Sequence, residues 1–282
     1  MNTLFVPTDL SEHANTALKY ALQLSKAFVA KKLVYYHHNP QLIATEIPLT
    51  FVEDQIAVNQ EIREGMEKTL LKFMDEASIP EQFLKVEVVV STLISSPAQA
   101  LLDAARLHKA DLIVMGSHGK TGIQKFIFGS VTGAVLEQSP IPVLTIPIGY
   151  VFKPIERIAF ASSLTYFSSE VKTILEFTED ILPQIDIVHI DYGLMSAQMV
   201  GHAKRLIEKL NNPLLNLALV PADAQDSLKE NLSKWLKKSN PDWLIMFPVK
   251  RDWLEKLFFS SKSLEIAMEF KKPMLIIQKK GE

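Results

Sequence analysis

The chain has 282 residues, of which 48% are hydrophobic and 22% charged, with a formal net charge of -2. That length holds two domains of common size, and the near-balanced charge offers no basic face for a nucleic-acid backbone. Cysteine is absent, which excludes disulfides, thiolate metal sites and cysteine nucleophiles.

The opening segment, Met1 to Pro7, lacks a basic stretch followed by a long apolar one. No apolar run approaches the roughly 18 residues of a membrane span. A cytoplasmic protein with no membrane partner is expected.

Leu4-Phe5-Val6, ending at Pro7-Thr8-Asp9, reads as a buried parallel strand and a turn. Ser11 is placed to cap a helix with Ala14, Leu18, Ala21, Leu22 and Leu24 on its apolar face. Leu33 to Tyr36 is a second strand. Phe51 to Ala77 reads as a long charged helix, a solvated amphipathic cover. Val86 to Val90 is β-branched and strand-like. Ser96-Pro97 opens a third helix, with proline where a missing N–H does no harm. Leu112 to Met115 is a strand ending at Gly116, Ser130 begins a fourth helix, and Val143 to Ile146 is a fifth strand. This alternation predicts a parallel sheet with helices on both faces.

The pattern then restarts. Ile158–Ala161, Ile187–Ile190 and Leu214–Val220 follow the first three strands, and residues 111–147 align without a gap onto 242–278. Asp111, Met115, Phe128, Pro142 and Leu144 recur there as Asp242, Met246, Phe259, Pro273 and Leu275. Two tandem doubly wound α/β domains are expected, 1–149 and 150–282, each with a five-stranded parallel sheet. The second is shorter, mainly in its second helix.

Gly116-Ser117-His118-Gly119-Lys120-Thr121-Gly122 joins the fourth strand to a helix that starts at Gly129-Ser130. Glycines let backbone N–H groups approach a phosphate, and a helix N-terminus favours an anion. In an open parallel sheet, ligands sit beyond the strand ends where the winding reverses. That places Pro7, Thr8 and Asp9 opposite the glycine loop. Asp9 suits a ribose hydroxyl, a metal-bound water, or a plain turn. A Walker A loop needs glycine where Val114 stands, and no Gly-x-Ser-x-Gly elbow exists. His37 and His38 are strand neighbours on opposite faces, which disfavours a shared metal. His37 recurs as His189, which suggests packing. Trp235, Trp243 and Trp253 read as core or interface residues.

Gly116, Gly119, Gly129 and Ser130 have the spacing of the universal stress protein family. Asp111 to Gly119 and Val6 to Ser11 also resemble it, so the chain looks like the tandem form. The resemblance implies strand order 3-2-1-4-5, binding of ATP or AMP with Mg²⁺, and pairing of two domains through their fifth strands. A further dimer of chains is compatible with it. It implies a nucleotide site of Pro7, Thr8, Asp9, Met115, Gly116, Ser117, His118, Gly119, Gly129, Ser130 and Val131. His38 would lie near the adenine, where the family often has a small apolar residue. In the second copy Phe247, Lys250, Ser260 and Ser163 replace Gly116, Gly119, Gly129 and Asp9, and no nucleotide is expected there. No residue is an evident general base, so at most a slow ATPase is expected. The alternative is an interaction scaffold without a nucleotide.

Overall fold

The computed structural model describes residues 1–40, 49–117, 128–193, 197–248 and 271–278. These fall into two compact units, one ending at Phe152 and the other beginning at Lys153.

The first unit runs β1 (Thr3–Thr8), α1 (Glu12–Ala27), β2 (Lys32–His38), α2 (Leu49–Glu76), β3 (Lys85–Ser91), α3 (Pro97–Leu107), β4 (Leu112–Gly116), α4 (Ser130–Gln138) and β5 (Val143–Ile146). Its strands lie parallel in the order β3-β2-β1-β4-β5. The strand at the centre, β1, is a continuous apolar run because both its faces are covered. Leu4, Phe5 and Val6 have no solvent exposure.

Helix ends follow local chemistry. The Ser11 hydroxyl accepts from Ala14 N–H at 3.2 Å and starts α1. Ser96 caps α3 in the same way, with Pro97 in the first turn. Helix α2 is amphipathic only toward its C-terminal end. Met66, Leu70, Phe73 and Met74 are buried there, while Ile56 and Val58 face solvent. The unit closes as Tyr20 on α1 packs against Tyr150 and edge-on to Phe152.

The second unit runs β6 (Arg157–Ala161), α5 (Phe167–Phe177), β7 (Gln184–Asp191), α6 (Ala197–Leu210), β8 (Leu215–Pro221), α7 (Leu228–Ser239), β9 (Trp243–Met246) and β10 (Met274–Ile276). Its parallel order is β8-β7-β6-β9-β10. The second helix, α6, has 14 residues against 28 in α2. Trp243 is fully buried in β9.

Individual bonds recur at corresponding positions. Asp111 Oδ2 accepts from the N–H groups of Asn2 and Thr3, at 2.7 and 2.9 Å. Asp242 Oδ2 accepts from Glu156 and Arg157, at 3.0 and 2.9 Å. His37 Nδ1–H donates to Thr8 O, and His189 Nδ1–H donates to Ser162 O, both at 2.9 Å. Leu10 and Leu164 each have φ of 62°.

The units differ inside the sheet. Asp186 is fully buried, paired with Arg157 and accepting from Asn216 Nδ2 at 2.8 Å. Arg157 is 41% exposed, so losing the aspartate leaves a cation that water reaches. Losing the arginine leaves a buried carboxylate. Arg157→Met should therefore cost about 3 kcal/mol in urea unfolding, and Asp186→Asn clearly less.

Leu10 offers a second test. A left-handed L-residue carries a steric penalty, and Leu10 is 41% exposed, so its side chain contributes little packing. Leu10→Gly should stabilise the protein by about 0.5–1 kcal/mol, read as a raised denaturation midpoint.

Candidate functional site

The site begins where two strands part. β1 pairs with β4 at Leu4↔Leu112 and Phe5↔Ile113. Beyond those residues β1 continues to Thr8 alongside β2, and β4 continues to Gly116 alongside β5. The opening between them is the crevice that a doubly wound sheet leaves at its point of reversal.

A cavity of about 400 Å³ occupies it, within the size range of small-molecule sites. Pro7, Thr8, Asp9, His38, Met115, Gly116, Gly129, Ser130 and Val131 line it, and all of them belong to the set read from the sequence. Ser117 is described but does not line the cavity. His118 and Gly119 lie outside the described residues, as do Lys250 and Ser260. Sequence reading missed Ala14, Tyr36, Pro97, Leu101 and Thr132, which complete the wall. Only a fold brings the first turn of α3 beside the end of β2.

His37 also borders the cavity, although alternation turns it away from His38. Both residues sit at the tip of β2, and the cavity lies beyond that tip. The His37 ring is engaged with Thr8 O, as a packing role requires. His38 Nε2–H donates to Ser95 O at 3.3 Å, which ties the tip of β2 to the segment before α3. Burial pushes the Tyr36 phenol above its usual value, so this hydroxyl stays protonated.

At the other end α4 points its N-terminus into the cavity. Its N-cap is Gly129, which has no side chain to accept from the first-turn N–H groups. The first helical backbone bond runs from Gly133 N–H to Gly129 O at 2.8 Å. The N–H groups of Ser130, Val131 and Thr132 precede it and have no partner in the helix ladder. Ser130 is thus the first helical residue and not the cap. The helix dipole adds partial positive charge at the same place. Among the described lining residues there is one carboxylate, Asp9, and no lysine or arginine.

Asp9 has a turn role as well as a cavity position. Its Oδ1 accepts from Ser11 N–H at 3.0 Å and from Ser11 Oγ at 2.5 Å. Among the described residues no three His, Asp or Glu side chains converge as metal ligands. No helix among them is long and apolar enough to cross a membrane.

The second unit carries a large side chain at the corresponding position. Phe247 stands where the first unit has Gly116. It is buried and packs edge-on against Phe160, with ring centres 5.5 Å apart. Ser162 Oγ donates inward to the buried Glu170 at 3.1 Å.

Residues 1–147 match the Universal stress protein family. The chain belongs to that family. Among its relatives, universal stress protein MJ0531 of Methanocaldococcus jannaschii is 29% identical over 143 residues, 51% of this chain and 80% of that protein. A Thermus aquaticus universal stress protein is 30% identical over 144 residues, 51% of this chain and 97% of that protein. The crystal structure of a universal stress protein from Archaeoglobus fulgidus covers 99% of this chain and 96% of its own. Its TM-score is 0.72 at 15% identity, which is a likeness of fold along both units.

The open helix N-terminus yields a direct test. Val131→Asp puts a carboxylate where the dipole favours one, so the fold should hold or gain about 0.3–1 kcal/mol. The same charge should weaken a phosphate-bearing ligand such as AMP by roughly tenfold or more. Calorimetric titration beside a melting curve separates the two effects. Unchanged AMP affinity would show that no anion sits at this helix.

Proposed function

We propose that the first unit binds one adenine mononucleotide, ATP or AMP, in the crevice between β1 and β4. The supporting observation is the N-terminus of α4, with glycine as its cap residue, on a cavity of about 400 Å³. Phosphates lie against the first turn of α4 and the Gly116 end of β4. The base and sugar extend toward the tip of β2 and the first turn of α3, where Tyr36, His38, Pro97 and Leu101 form the wall. Family membership over residues 1–147 supports the same reading.

Magnesium enters with ATP. Among the described lining residues the one carboxylate is Asp9, and Ser11 already engages one of its oxygens. Asp9 therefore acts through metal-bound water or on the ribose. The role proposed is sensing by occupancy, with slow hydrolysis at most: among the described lining residues His37 and His38 are tied to backbone carbonyls and Asp9 to Ser11.

The second unit is proposed to be a degenerate domain of the same family, the internal partner of the first through the fifth strands. Recurrence of the Asp111 and His37 bonds at Asp242 and His189 supports this. Phe247, in the place of Gly116, argues against a phosphate there.

Isothermal titration of ligand-stripped protein with Mg-ATP, and separately with AMP, tests the proposal. The expected result is one site per chain, abolished by Gly119→Val. Two sites would reassign the second unit. No binding of either nucleotide would end the nucleotide reading and favour the scaffold alternative.

A further inference from the structure

We infer that Thr132 is a positioning residue for the anion end of the cavity, an inference that rests on the nucleotide reading above. Ser117 N–H donates to Ile146 O on β5 at 3.0 Å. The peptide bonds of the described residues are trans. A trans peptide turns the preceding carbonyl the opposite way from the N–H. Gly116 O therefore points away from β5, to the side where β1 no longer pairs with β4. Left bare, that oxygen would present partial negative charge to the incoming phosphate and would lack a partner itself.

Thr132 resolves both problems with one hydroxyl. It is the third residue of α4 and only 4% exposed, and it lines the cavity. Its Oγ1–H donates to Gly116 O at 3.1 Å. The bond caps the carbonyl and ties the first turn of α4 to the tip of β4. A backbone bond from Gly129 N–H to Ser117 O, at 3.0 Å, makes a second tie beside it. Substitution at 132 removes the first tie and leaves the second, so the local fold has a remaining support. The effect of losing the hydroxyl falls on the phosphate, which meets an uncapped carbonyl and a looser helix turn. The base end, at β2 and α3, is built from other elements and is untouched.

Thr132→Val keeps the side-chain shape and removes the hydroxyl, whereas Thr132→Ser keeps the hydroxyl. The full chain and both variants are titrated with adenosine, AMP and Mg-ATP, with melting curves recorded for each. Thr132→Val should weaken AMP and ATP by roughly tenfold, leave adenosine within about twofold, and Thr132→Ser should bind as the native chain does. Equal losses for adenosine and AMP would make Thr132 a structural residue and overturn the inference. So would native-like AMP binding by Thr132→Val, or a Thr132→Ser variant as weak as Thr132→Val. In each of those cases the native chain still binds nucleotide and the functional reading survives. A native chain that binds none of the three would remove both.

Discussion

The parting of β1 and β4 after Phe5 and Ile113 is the constraint from which the rest of the first unit follows. Parallel strands that stop pairing leave backbone groups without ladder partners. A buried N–H or C=O without a partner is costly. The chain answers this group by group. His37 donates to Thr8 O, Thr132 donates to Gly116 O, and Ser117 turns back to Ile146 O on β5. At the start of α4, by contrast, Gly129 brings no capping side chain to the first N–H groups. Among the described residues the crevice therefore carries acceptors that are already engaged, beside a helix start that its own cap residue leaves unbonded.

Set beside each other, the two units separate what the fold needs from what the site needs. Asp111 and Asp242 each clamp the N–H groups that lead into a strand. Leu10 and Leu164 share a left-handed backbone. Features present in both belong to the frame, so the conformational cost at Leu10 is not spent on a ligand. The Gly116 position differs, since Phe247 is buried against Phe160 in its place. An aromatic pair at this spacing adds roughly 0.5–1.5 kcal/mol beyond area burial. The second unit thus places an aromatic pair where the first keeps a glycine.

Most of the architecture was legible because period and punctuation agree. Leu4 to Val6 is apolar without alternation, and Ser11 and Ser96-Pro97 mark helix starts that the structure contains. The strand order 3-2-1-4-5 in the first unit follows the family resemblance. The helices of the second unit were legible only through the repeat, since their glycine and proline signals are sparse. Within the site, legibility divides by mechanism. Gly116 and Gly129 stand out because glycine spacing is itself the signal. Tyr36, Leu101 and Ala14 look like any core residue, and Pro97 like any helix start, until packing brings them to one cavity.

Thr132 is the instructive case, because its role depends on a peptide orientation and not on its own segment. A threonine in a first helical turn suggests nothing beyond a modest propensity cost. The reason for it lies at Gly116, sixteen residues earlier, where the carbonyl must face a crevice once Ser117 has committed its N–H to β5. Glycine at 116 serves approach, and approach exposes the carbonyl that Thr132 then occupies. The two residues form one device split across the chain, in which the glycine keeps the crevice open and the threonine engages the carbonyl that this openness exposes.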